Sequence, residues 1–294
     1  MLLGNLRPGW ALGICSFSAV VSSVIAVEPQ PLRESWDYAT EMRKVAALFK
    51  GKEGVVLHVG DSITYANPYG QWARLGKGHT EEDQAILKWM HAGAEDESDG
   101  WYLARFDHPR GGCSYTACGG LRADEVIAGR EGKTPPLAEM LKKYQPQIVV
   151  VMIGTNDAAG GRKTADYLRD VSKSADSILA SNAICILSTI PPYYAAPQRS
   201  GDFNDGLRDL AKKQHLPLID YEREILTRRP EDWNGTLLAK DDAHPTAGIE
   251  GITATSKPTE ENLRRSGYLL RGWLSVRKIA EVKKNVLDKP AAAP

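Results

Sequence analysis

Cysteine and phenylalanine are scarce, at four each in 294 residues, and neither sign of charge dominates: 37 Lys plus Arg balance 37 Asp plus Glu. A net charge of zero leaves no basic field to hold a polyanion, which excludes nucleic acid as an expected partner. Past the N-terminus no apolar run is long enough to span a bilayer. There is no internal repeat, and the cysteines show no metal-ligand spacing. Residues 60–64 read Gly-Asp-Ser-Ile-Thr, so the G-x-S-x-G elbow is missing, and "GTNDAAGG" has neither a phosphate-binding lysine nor the dinucleotide fingerprint. What is present, 42% hydrophobic and 25% charged residues, suits one large globular domain.

The N-terminus carries Arg7, an apolar and small-residue run from Ala11 to Ala26, and then a polar stretch with prolines. That is the layout of a signal peptide, with Val24 and Ala26 as the small residues before the cut, so residues 1–26 are expected to be removed and the protein to be secreted or periplasmic. A retained anchor is the competing reading. Cys113, Cys118 and Cys185 then remain. Cys113 and Cys118 share a Gly-rich loop and are readable either as a local bridge or as two unpaired small residues, whereas Cys185 in "AICILSTI" reads as a buried thiol.

Residues 27–51 form a helical lead-in that stops at Gly51. Four continuous apolar runs follow, at 54–60, 146–154, 183–190 and 216–220, and a fifth strand is expected around 101–107. Helical patterns from Thr164 and from Asp202 separate the later runs, and another at 266–287 closes the domain. Alternating strand and helix predicts a parallel sheet covered on both faces, with its site outside the carboxyl ends of the strands. Polar residues gather there, in "GDS", "GTND" and "PPYY". The tail at 288–294 reads as disordered.

Ser62 ends the first strand, where Asp61 and Ser62 are equally readable as a helix cap or as the setting of a nucleophile. A nucleophilic serine needs a base and a group to orient that base. His58, inside the strand, reads as a core histidine, and His79, His91, His108 and His215 have no partner at a telling spacing. His244 in "LAKDDAHPTAG" differs, since Asp241 three residues earlier can fold back onto its Nδ1, and Asp242 could do so less naturally, being too close in sequence. Asn156, Gly120 and the Ser62 N–H are candidate donors to an oxyanion, and Gly119 is an alternative to Gly120.

Taken in order, "VVLHVGDSITYA", Gly120, "IVVVMIGTND" and "DDAHP" resemble the blocks of the SGNH hydrolase family, also called GDSL-type esterases. The resemblance covers about residues 52–285, within a hydrolase domain at 52–287, and implies an α/β fold of three layers, with a flavodoxin-like parallel sheet of about five strands. It also implies Ser62 as nucleophile, His244 and Asp241 as the rest of a triad, and Ser62, Gly120 and Asn156 as the oxyanion hole, with no cofactor. Two insertions, at about 66–118 and 246–265, depart from the family pattern. Trp72, Trp89, Trp101, Tyr65, Tyr69 and Tyr115 crowd the first, and are readable as sugar-stacking platforms or as core. The run "EDESD" at 95–99 reads as a solvated loop.

The expected function is an exported serine esterase acting on a small-molecule or polysaccharide ester, with O-acetylated carbohydrate as the leading substrate class. The alternatives are a short-chain lipase or acylhydrolase of the same family, and a non-catalytic carbohydrate-binding protein on a hydrolase fold. A metal-dependent phosphoesterase using Asp61, Asn156, Asp241 and His244 is disfavoured, because the expected D-x-H start is missing.

Overall fold

The computed structural model describes Met1 and residues 28–66, 68–101 and 113–289. The expected leader and its cleavage point lie outside the described residues, as does most of the expected tail. No described helix is long and apolar enough to cross a membrane.

The apolar runs become four parallel strands, β1 Lys52–Gly60, β2 Pro146–Met152, β3 Ile184–Ser188 and β4 Leu218–Ile219, hydrogen-bonded in that order. In β1, Val55 to Gly60 are buried without a break, as a strand covered on both faces must be. The expected strand at 101–107 lies outside the described residues except for Trp101, which sits in a helical turn. On the free edge of β1, Gly60 instead makes a single parallel bridge to Ala117.

Helices α1 Ala39–Ala47, α2 Ser62–Tyr65, α3 Gln71–Leu75 and α4 Glu81–Trp89 precede α5 Ala123–Ala128 and α6 Leu137–Tyr144. After β2 come α7 Thr155–Ala159, α8 Thr164–Ala180, α9 Pro197–Lys213, α10 Tyr221–Arg228, α11 Glu260–Leu263 and α12 Gly267–Val282. Helix α8 packs on β3 and against α5, α6 and α9, while α12 packs on β4 and against α3 and α4, so helices cover the sheet on both faces. Helix α9 begins five residues before the predicted Asp202, because Pro197 at its first turn presets φ without losing a needed donor.

The N-terminal segment covers the far edge of the sheet. Glu34 Oε1 accepts the Leu218 N–H at 3.2 Å, and Trp36 Nε1 donates to Leu216 O at 2.9 Å. Pairing the edge groups in this way shields an otherwise open strand.

Within the first insertion, Trp72, Trp101 and Tyr69 are buried in the core. Trp101 stacks on His58 with centroids 4.2 Å apart, and the Tyr69 hydroxyl bonds His58 Nδ1 at 2.8 Å. Those three rings are core and not sugar platforms, while Tyr65 and Tyr115 stay half-buried. The 95–99 run is solvated only in part, since Asp99 is buried against Arg74 Nε at 2.8 Å.

Candidate active site

In the "GDS" turn Asp61 is the helix cap and Ser62 follows it into the helix. The Asp61 carboxylate caps α2 by accepting the Ile63 N–H at 3.0 Å, which places Ser62 as the first residue of that helix with its hydroxyl partly exposed. Gly60 is required by close approach: a Cβ there would lie 2.3 Å from Met152 O and from Thr64 Oγ1. From below, buried Arg271 of α12 donates to Ile63 O at 2.7 Å and Thr64 Oγ1 at 2.8 Å, fastening the helix behind the serine. No sequence signal marks Arg271, because its partners lie more than 200 residues away.

Ser62 Oγ lies 2.9 Å from His244 Nε2, across 182 residues of chain. The histidine stands on a loop pinned by backbone bonds from Ala239 N–H to His244 O at 2.8 Å and from Thr246 N–H to Leu237 O at 2.9 Å. Its other nitrogen, Nδ1, faces Asp242 Oδ2 at 2.9 Å and Oδ1 at 3.0 Å.

The expectation for Asp241 is thereby corrected. Asp241 adopts a left-handed backbone with φ of 60°, and its carboxylate accepts from Asn234 Nδ2 at 3.0 Å while its N–H donates to Asn234 Oδ1 at 2.7 Å. That clamp turns its side chain outward, and the reversal of the chain brings Asp242 inward instead. Only the "DD" pair in the sequence hints at the second candidate. Partial burial works to raise the Asp242 pKa, but hydrogen bonds from the Ala243 N–H and from His244 outweigh it and hold the carboxyl below its ordinary value.

Asn156 opens near Ser62 from the first turn of α7, with Nδ2 3.0 Å from Leu121 O and 3.3 Å from Asp61 Oδ2. Its neighbour Asp157 accepts the Ala123 N–H at 3.0 Å and Arg162 Nη1 at 2.7 Å, tying α7 to the segment that carries Gly120. Gly120 is exposed with φ of 76°, a conformation that favours glycine, and among the described residues its N–H meets no protein acceptor. Cys118, two residues earlier, is bonded to Cys113. Of the two sequence readings the structure contains the bridge, and Cys185 is the buried thiol.

Asp61 is fully buried, and this burial raises its pKa to about 6 against the opposing pull of the Ile63 N–H, Arg271 and His244; nearby Asp157 adds to the rise. His58 is buried behind the site, where desolvation holds its pKa well below the usual imidazole value, with Arg271 adding to the effect. Among the described residues no three His, Cys, Asp or Glu side chains converge as a metal site. Serine, imidazole and carboxylate in line, beside backbone donors, can transfer an acyl group.

A model of the GDSL-like Lipase/Acylhydrolase family matches residues 58–248. Among solved structures, the chain is similar to a GDSL-like lipase from Bacteroides thetaiotaomicron, at 19% identity over 83% of this chain and 97% of that one, with a TM-score of 0.49. It is also similar to a catalytic mutant of an acetylxylan esterase from Geobacillus stearothermophilus, at 15% identity over 76% and 93% of the chains and a TM-score of 0.48. A member of the lipolytic protein G-D-S-L family from Veillonella parvula shares 16% identity over 76% and 96%, with a TM-score of 0.48. No curated protein matches the chain.

Proposed function

The chain belongs to the GDSL-like lipase/acylhydrolase family, and from that premise we propose that it is an exported serine hydrolase of carboxylic esters. The observation that carries this reading is the line from Ser62 Oγ through His244 to Asp242, at 2.9 Å on each side of the ring. In this mechanism Ser62 Oγ attacks the ester carbonyl as His244 Nε2 takes its proton. Asp242 holds the Nδ1–H tautomer and stabilises the imidazolium. The oxyanion is received by the N–H groups of Ser62 and Gly120 and by Asn156, whose 3.3 Å contact to Asp61 is the longer of its two and the one to be exchanged. The protonated imidazole then gives its proton to the leaving alcohol, and water, activated by the same histidine, releases the acid.

Export is supported by the leader-like N-terminus and by the paired cysteines, which suit an oxidising compartment. We take O-acetylated carbohydrate as the substrate class, with support from export and from the half-buried Tyr65 and Tyr115. Ser62→Ala is expected to abolish hydrolysis of 4-nitrophenyl acetate and labelling by a fluorophosphonate. Turnover retained in that variant overturns the mechanism. A panel of acetylated polysaccharides beside short and long acyl esters tests the substrate class, and a clear preference for long acyl chains would replace it with a lipase reading.

A further inference from the structure

The segment leading to Gly120 is a small closed frame. Cys113 and Cys118 are disulfide-bonded, both almost wholly buried, and their backbones form an antiparallel bridge. Inside the frame Ser114 N–H donates to Ala117 O at 2.8 Å, and Ser114 Oγ accepts the Ala117 N–H at 3.0 Å. The frame docks directly onto the end of β1, two residues before Ser62: Gly60 N–H donates to Thr116 O, and Cys118 N–H donates to Gly60 O, each at 3.2 Å.

Gly60 stands two residues before Ser62, and Cys118 stands two residues before Gly120. On its other side Gly120 is followed by Leu121, whose carbonyl accepts Asn156 Nδ2 at 3.0 Å. The exposed pair Gly119 and Gly120 thus lies between an anchor on β1 and an anchor on α7, in a turn closed by the Leu121 N–H donating to Cys118 O at 3.2 Å, with Arg130 Nη1 donating to Gly119 O at 3.2 Å. Glycine backbone is the most costly to order, so the placement of the Gly120 N–H depends on what closes the chain on either side.

Resting on the esterase reading above, we propose that the Cys113–Cys118 disulfide is a positioning element of the oxyanion hole, holding the Gly120 N–H in register with Ser62 through the 113–118 frame. Opening it with a thiol reductant lowers turnover far more than it lowers substrate binding. With a dithiol as reductant, one thiolate attacks a cysteine sulfur and displaces the other. The second thiol of the reagent then closes a cyclic disulfide and releases the protein thiol. Two electrons and two protons pass to Cys113 and Cys118, and the dithiol is oxidised.

The test compares the oxidised native protein with Cys113→Ala/Cys118→Ala, using 4-nitrophenyl acetate for kcat and KM and a boronic acid as a tetrahedral mimic. Losing one well-aimed oxyanion donor costs on the order of a hundredfold or more in kcat, so loss of alignment is expected to lower kcat by roughly ten- to a hundredfold. KM is expected within twofold of the native value, boronate affinity weakened in proportion to kcat, and circular dichroism that of a folded protein at the assay temperature. Dithiothreitol, with thiols counted by mass spectrometry, is expected to move the native protein toward the variant's kcat and to leave the variant unchanged. An unchanged kcat in the variant, a loss that matches its unfolded fraction, or unpaired Cys113 and Cys118 in the native protein overturns the proposal. A native protein that neither hydrolyses esters nor takes a fluorophosphonate on Ser62 overturns the esterase reading itself, and the proposal with it.

Discussion

Adjacent aspartates have opposite fates around His244. Asp241 is held outward by Asn234, and Asp242 meets the imidazole at 2.9 Å. Asp242→Asn leaves the wrong ring tautomer facing Ser62 and is expected to lower kcat by about a thousandfold or more. Asp241→Asn, at an exposed position, is expected to stay within about twofold, in line with surface substitutions worth under about 0.5 kcal/mol. Parallel kcat measurements check both, and the reverse ranking would restore Asp241 to the triad. Asp61 makes a second statement at this scale, through stability. Its folded pKa of about 6 lies above its ordinary 3.8, so between those values the folded state binds more protons than the unfolded state. Stability from this group is therefore full at low pH and falls as pH rises through about 4 to 6, by roughly 3 kcal/mol in all. Urea unfolding from pH 4 to 7 is expected to show that decline in the native protein relative to Asp61→Asn, which cannot titrate there. Equal pH slopes in the two proteins would rule it out.

At the scale of elements, the first insertion is a second piece of core. Its helices α3 and α4 pack on α12, and Trp72 and Trp101 are each at most 2% exposed. Truncating such rings costs about 3–5 kcal/mol. Trp101→Ala and Trp72→Ala are therefore expected to lower the urea midpoint steeply, whereas sugar platforms would lose polysaccharide binding with stability intact. The insertion also reaches the later one, since Lys77 N–H donates to Thr255 O at 2.9 Å. Periodicity located the elements well because each apolar run or amphipathic stretch carries its own signal: β1 and α8 lie where their patterns predict them. It could not sort the insertion's aromatics, because a tryptophan beside polar residues has the same local pattern whether it faces solvent or a histidine 43 positions away.

For the whole molecule, no three His, Cys, Asp or Glu side chains among the described residues gather as a metal set. Of the residues once readable as a metal set, Asp61 and Asn156 touch each other, while Asp241 is turned to Asn234 and His244 faces Ser62 and Asp242. Hydrolysis of 4-nitrophenyl acetate is expected to be unchanged by EDTA, and loss of activity restored by a divalent cation would reopen the phosphoesterase reading. Most of the architecture was legible in sequence, because burial on both sheet faces demands continuous apolar strands and helices demand their own period. The likeness of "VVLHVGDSITYA", "GTND" and "DDAHP" to known blocks likewise named Ser62, Asn156 and His244, and the fold brings these three to one end of the sheet. Only tertiary structure put Asp242 and not Asp241 against His244, joined Cys113 to Cys118, set Arg271 beneath the helix that Ser62 begins and turned Trp101 inward. Those outcomes rest on the sign of one φ angle and on contacts between segments up to 208 residues apart, which no local pattern encodes.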